Sequence, residues 1–200
     1  MKTSSPAQSD VRDSILAHGQ RIMASKGFSA VGINEILTAA GVPKGSFYHY
    51  FGSKDAFGEA LLEGYFEAYI AEIDAILQRQ GVSMAQRVLD YFENWRANQS
   101  FLECQGKCLA VKLGAEVADL SEAMRLSLKR GTTAITDRLA EAIEGGMEEG
   151  SLHLSGKPGD TAKALYQLWL GASVMVKIHR NTEPFDTARV ATRQILGVSR

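Results

Sequence analysis

The chain has 200 residues and a formal net charge of −1, with 45% hydrophobic and 22% charged residues. Such a length holds one or two small domains with a real core, and the near-neutral balance gives no global sign of a nucleic-acid partner. No apolar run approaches the ~20 residues of a membrane span, and Met1–Asp10 is polar without a signal-peptide core, so a cytoplasmic location is expected.

Charge is nevertheless uneven. Residues 1–54 carry six Lys/Arg against three Asp/Glu, whereas the remainder carries sixteen against twenty. A basic N-terminal third beside an acidic body fits a localised DNA footprint. The two cysteines, Cys104 and Cys108, are four apart. That pair is too sparse for a zinc site, and in a reducing cytoplasm both are expected as thiols. Neither a metal nor a cofactor is expected.

In chain order, residues 1–9 read as a polar, disordered tail. A first helix starts near Asp10, with Ile15, Ile22 and Met23 as its apolar stripe, and stops at Gly27. Phe28 to Gly32 connects to a short helix, Ile33–Ala40, that carries Ile33, Ile36 and Leu37 on one face. Gly41 and Val42 then turn the chain into Pro43-Lys44-Gly45-Ser46-Phe47-Tyr48-His49-Tyr50-Phe51. Pro43 suits the first turn of a helix, and Gly41 permits the bend before it. At about 100° per residue, Phe47 and Phe51 share one side, while Lys44, Gly45, Tyr48 and His49 share the other. One side anchors; the other presents a cation, polar rings and a place for close approach. Two short helices joined by a Gly-containing turn make a helix-turn-helix.

Ser53 is placed to cap the next helix, with Asp55 in its first turn. That helix is expected from Lys54 to about Gln80, where Gly81 breaks it. Helices continue at roughly Met84–Asn98, Gly106–Val117, Ser121–Met147, Asp160–Arg180 and Phe185–Leu196, and no alternating strand pattern or internal repeat interrupts them. The Asp160–Arg180 helix is apolar over most of its circumference, through Leu165, Leu168, Trp169, Leu170, Val174, Met175, Val176 and Ile178. Such a helix is buried, either in a helical core or between subunits.

Residues 10–58 resemble the Tet repressor (TetR) family of one-component regulators. The resemblance rests on Gly27-Phe28, on Ile36 through Gly41-Val42, on Lys44 through Phe51, and on Ser53-Lys54. It implies an all-α fold: a three-helix DNA-binding head with a helix-turn-helix at 10–53, then a helical effector-binding and dimerisation body at 54–200. It further implies a repressor that pairs as a homodimer through its last two helices, binds double-stranded operator DNA and leaves it when a small-molecule inducer arrives. One departure is Val31-Gly32-Ile33, where many members place a phosphate-contacting Thr.

The body is similar to a narrower group, the electrophile-responsive repressors of N-ethylmaleimide reductase. The matching segments are Gly106 through Leu113, Ala115-Glu116-Val117, Asp119 through Glu122, Leu168 through Ala172, and Lys177-Ile178. This resemblance suggests a thiol sensor.

In the head, Lys44 and Lys54 suit phosphate neutralisation, and Arg12 suits a phosphate or the minor groove. Ser46, Tyr48, His49 and Tyr50 can donate to phosphates or base edges, while Gly45 lets the backbone approach the groove. Each residue taken singly is equally an ordinary solvated position; the helix as a whole has no packing rationale for its exposed rings.

In the body, Cys108 lies near an expected helix N-terminus with Lys107 beside it, and both features stabilise a thiolate. Lys177 interrupts an apolar run and is expected to project inward, where it tunes or captures the modified sulfur. Cys104 is a spare thiol or a resolving partner, and Cys108 itself is alternatively an inert buried hydrophobe. Lys163, Tyr166, Gln167, Leu170, Ser173 and Lys177 share a stripe that lines an effector cavity with Trp95, Tyr91 and Phe92, or else faces solvent. Two other functions stand against the thiol sensor. One is a regulator that binds its effector without covalent chemistry. The other is a Cys108-dependent enzyme, disfavoured because none of the four histidines is placed and oriented as its base.

Overall fold

The computed structural model describes residues 6–98 and 109–198, with side chains from Asp10 onward. The described residues form helices only: α1 (Pro6–Lys26), α2 (Ile33–Ala40), α3 (Lys44–Tyr50), α4 (Lys54–Leu77), α5 (Met84–Asn98), α6 (Leu109–Leu120), α7 (Glu122–Glu148), α8 (Pro158–His179) and α9 (Glu183–Ile195). The all-α expectation holds. The described part of the first helix runs from Pro6, so residues 6–9, expected within the disordered tail, are helical. Pro43 differs too, standing at the N-cap of α3 with extended backbone (φ −66°, ψ 152°) instead of within the first turn.

Two compact units form. One combines Met1–Phe66 with Gln105–Lys129, the other Glu67–Cys104 with Arg130–Arg200. The head thus packs together with α6 and the start of α7, a grouping that the linear division at residue 54 does not contain.

In the first unit, α1 packs on α2, α2 on α3, and α6 on α1. Gly41 caps α2 in the left-handed region (φ 68°), where a side chain is strained, and its N–H and that of Val42 close the helix on Thr38 and Leu37. The core is apolar and aromatic. Phe47, Phe51 and Phe57 meet with ring centres 5.0–5.4 Å apart, and Ile15, Met23, Val31, Ile36 and Leu62 are fully buried around them. Fully burying side chains of this kind stabilises by about 1.5–3 kcal/mol each before ordering costs.

In the second unit, α5, α8 and α9 enclose an aromatic stack. Trp169 lies face to face between Phe92 (5.0 Å) and Phe185 (5.6 Å), and Trp95 meets Tyr166 edge-on at 5.4 Å. Buried polar atoms are paired within it. The Trp95 indole donates to Ser173 Oγ, whose hydroxyl donates to the Trp169 carbonyl. Arg87 reaches back from α5 to donate to the carbonyls of Leu77 and Val82, so the C-terminal end of α4 is covered by a cation.

Candidate nucleic-acid interface

The short helix α3 presents the two faces that its periodicity predicts. Phe47 is fully buried and Phe51 nearly so, whereas Lys44, Gly45, Tyr48 and His49 are exposed, Tyr48 at 50%. Ser46 and Tyr50 are half-buried at the edge between those faces. A Cβ built at Gly45 would meet nothing within 4 Å, so the backbone there is open to an approaching molecule. The Tyr48 ring leans edge-on against Phe47, and His49 lies edge-on against Tyr50. These contacts orient the polar rings without covering them.

An open crevice of about 370 Å³ runs along the turn into α3, lined by Asn34, Leu37, Thr38, Gly41, Val42, Pro43 and Lys44. Asn34 and Thr38 are exposed on α2 and extend the polar surface beyond α3. Sequence reasoning passed over both. Their signal was an i, i+4 polar pair away from Ile36 and Leu37. At the start of α2, Gly32 is the N-cap and supplies no side-chain hydrogen bond.

Arg12 is half-exposed, with its guanidinium carbon 5.5 Å from the Phe51 ring centre and a loose ion pair to the adjacent Asp13 at 3.7 Å. The cation–π contact holds it beside α3 with donors left over. Lys54 behaves differently. Its Nζ donates to the Phe28 carbonyl at 2.8 Å and lies 4.6 Å from the Phe28 ring centre. Half-buried, it ties the start of α4 to the α1–α2 connection. Ser53 meets its expectation as a cap, its Oγ accepting the Ala56 N–H at 3.1 Å.

The sensor residues divide. Cys104, Lys107 and Cys108 lie outside the described residues. Trp95, Tyr91, Phe92 and Tyr166 are buried and touch one another, so they form packed core where a cavity lining was expected. Ser173 belongs to that core, whereas Lys163 and Gln167 of the same stripe are exposed. Lys177 is exposed as well, contrary to its expected inward direction; the apolar run around it is itself partly at the surface, with Val174, Met175 and Ile178 exposed. Beside the stack is a crevice of about 70 Å³ between α5, α8 and α9, reached by Gln86, Phe92, Trp169 and Arg189 among others. It is too small for most ligands. Among the described residues no His/Cys/Asp/Glu group suits a metal ion, and no helix is long and apolar enough to cross a membrane.

Comparison with known proteins bears on both regions. Residues 15–61 match the profile of bacterial regulatory proteins of the tetR family, and residues 85–192 match a tetracyclin repressor-like C-terminal domain. The chain is 41% identical over 191 residues to the HTH-type transcriptional repressor NemR of Escherichia coli strain K12, covering 94% of each chain. It is 33% identical over 180 residues to the HTH-type transcriptional repressor DhaR of Mycobacterium sp. strain GP1, covering 90% of this chain and 89% of that one. A crystal structure of E. coli NemR in its reduced form superposes with a TM-score of 0.90 at 40% identity, over 95% of this chain and 98% of that chain.

Proposed function

Because the chain belongs to the tetR family of bacterial regulatory proteins, we propose that it is a dimeric, sequence-specific repressor released from operator DNA by a reactive electrophile or oxidant at Cys108. The DNA-binding part is carried by α3. Its Lys44, Gly45, Tyr48 and His49 stand outward on a helix whose only buried side chain, Phe47, fixes it to the head. Arg12, Ser46 and Tyr50 flank that surface, and Asn34 and Thr38 enlarge it. Phosphate contacts from Lys44 and Arg12 supply affinity and register, while the polar rings read base edges.

A head of this size binds usefully when two copies span two half-sites. The second copy is proposed to pack on α8 and α9, where Val174, Met175, Ile178, Val190 and Ile195 expose apolar surface. Single exposed apolar residues are ordinary, but five on two helices that pack against each other favour an interface.

The inducer reading leans on similarity. Cys108 sits in the Gly106–Leu113 segment, and the related E. coli protein has a reduced form by the description of its structure. Alkylation or oxidation of a thiolate adds bulk and polarity, which biases a two-state dimer towards a head spacing that misses one half-site. The test is an equilibrium titration against a duplex that the wild-type protein selects from a randomised library, at several salt concentrations and with N-ethylmaleimide or hypochlorite. Specific, salt-dependent binding is expected, lost on treatment in the wild type and kept in Cys108→Ser. Release of Cys108→Ser by the same reagents overturns the thiol reading, and absence of specific binding overturns the repressor itself.

A further inference from the structure

We propose that Glu116 of α6 is a positioning residue that holds the DNA-binding head in its operator-competent geometry, and that effector release proceeds by parting its contact with Phe28 and Ser29. The proposal rests on the repressor reading above and names the device by which that repressor is switched.

The contact joins residues far apart in sequence. Glu116 Oε2 accepts the Phe28 N–H at 3.0 Å, and Oε1 accepts the Ser29 N–H at 2.7 Å, across 88 and 87 residues of chain. The Ser29 hydroxyl also favours the ionised form of the same carboxylate. These donors belong to the α1–α2 connection, just beyond the end of α1, where the chain has left the helix and its N–H groups take other acceptors. One carboxylate on two consecutive amides is charge-assisted and admits a narrow range of geometries.

The connection is built to receive that carboxylate. Gly27 has φ +93°, in the left-handed region, and a Cβ there would stand 3.0 Å from Glu116 Oε2. On the other side of the same peptide, the Phe28 carbonyl accepts from Lys54 Nζ. Residues 27–29 are thus gripped by α6 through a carboxylate and by the start of α4 through an ammonium. The second grip leads along Ser53 to α3, the DNA-facing helix.

This grip responds to small movements. Helix α6 also buries Leu109, Leu113 and Val117 in a single stripe. Apolar contacts of that kind survive a slide of about an ångström with repacking, but a 2.7 Å hydrogen bond is lost over the same distance. The described part of α6 runs from Leu109, next to Cys108 in sequence, so it is the described element covalently nearest the proposed sensor. Two discrete states follow, with the carboxylate seated on the amides or parted from them.

The experiment compares the full-length wild type, Glu116→Gln and Ser29→Ala on the selected duplex, before and after N-ethylmaleimide, with amide hydrogen exchange at Phe28 and Ser29. In the wild type, modification is expected to release DNA and accelerate exchange of those two amides about tenfold or more. Glu116→Gln, which keeps the shape but loses an acceptor, is expected to exchange fast from the start. Its release ratio should fall about 3- to 10-fold below that of the wild type. Ser29→Ala removes only the exposed hydroxyl and is expected to fall between them, which keeps the test readable if Glu116→Gln folds poorly. A purely structural role would weaken DNA binding equally with and without reagent and leave the ratio unchanged; that result overturns the proposal. So does unchanged exchange at Phe28 and Ser29 in a wild type that has released its DNA. A wild type that stays bound after modification overturns the electrophile reading, and the switch with it, and is distinguished by the wild-type arm alone.

Discussion

Lys54 places its ammonium against Phe28 twice over, donating to the carbonyl at 2.8 Å and lying 4.6 Å from the ring centre. A lysine at the start of the helix after α3 looks like a phosphate ligand, yet this one points into the head. The two roles make different predictions about salt. Each phosphate contact contributes roughly 0.9 to the slope of log affinity against log salt on duplex DNA. Lys44→Gln is expected to lower that slope by about one, because Lys44 is exposed and has no such internal bond. Lys54→Gln should leave the slope unchanged and lower head stability by about 1–2 kcal/mol, from a charge-assisted hydrogen bond and a cation–π contact. A slope change in Lys54→Gln matching that of Lys44→Gln would restore Lys54 to the DNA surface.

The Trp169 indole donates to the Thr192 hydroxyl at 2.9 Å, and that hydroxyl donates in turn to the Ala188 carbonyl at 2.7 Å. Both side chains are buried, so no water replaces a lost partner. Thr192→Val should cost about 1–3 kcal/mol by leaving the indole N–H unsatisfied. Replacing the donor as well, in a Trp169→Phe/Thr192→Val double variant, removes the orphaned group but loses packing volume. Chemical denaturation of the two single variants and the double is expected to give a coupling of 0.5 kcal/mol or more, about the threshold for residues in contact. Additive costs would mean that the hydrogen bond contributes nothing measurable.

Much of the head was legible because its signals are local. Gly27 and Gly41 stop their helices by backbone conformation, Ser53 caps by a three-residue reach, and Phe47 and Phe51 share a face by helical period. None of these needs knowledge of a distant partner. The internal contacts of Lys54 and Glu116 were not legible, for the opposite reason. Lys54 finds its partner 26 residues back, and Glu116 finds its amides nearly ninety residues back. The same limit explains the body. Periodicity placed Tyr166 and Ser173 on one stripe with Lys163 and Gln167, but only tertiary packing decides which of them meets Trp95. A mixed stripe reads equally as a cavity wall or as a boundary between core and water, and here it is a boundary.

Acid should loosen the Glu116 contact selectively. Burial raises its pKa, but the Ser29 hydroxyl, the Ser29 and Phe28 amides and the charge of Lys54 together outweigh that and hold it below the ordinary 4.5. With a folded pKa below the unfolded one, ionised Glu116 contributes stability fully present above about 4.5 and lost as pH falls through the folded value. Thermal unfolding from pH 7 down to pH 3 is therefore expected to show a wild-type loss that Glu116→Gln lacks in that window. Parallel profiles for the two proteins would show that the carboxylate is not the titrating group.

Ile178 is the most exposed of the large apolar residues described, at 65%, on the same helix as Val174 and Met175. If α8 and α9 meet a second copy there, Ile178→Glu places two carboxylates near a two-fold axis, where each copy meets the same patch of the other. Charge at the core of an obligate interface is costly, so the variant is expected to sediment as a monomer at concentrations where the wild type is a dimer. Its thermal stability should change little, because the side chain lies outside the single chain's core. The DNA consequence follows from geometry. A monomer engages one half-site, so affinity for the full selected duplex should drop by about a hundredfold or more, while affinity for a half-site duplex stays within about twofold of wild type. The pairing of those two duplexes separates loss of the interface from damage to the head: equal losses on both would locate the fault in the fold, and a dimeric Ile178→Glu protein would move the interface away from this face.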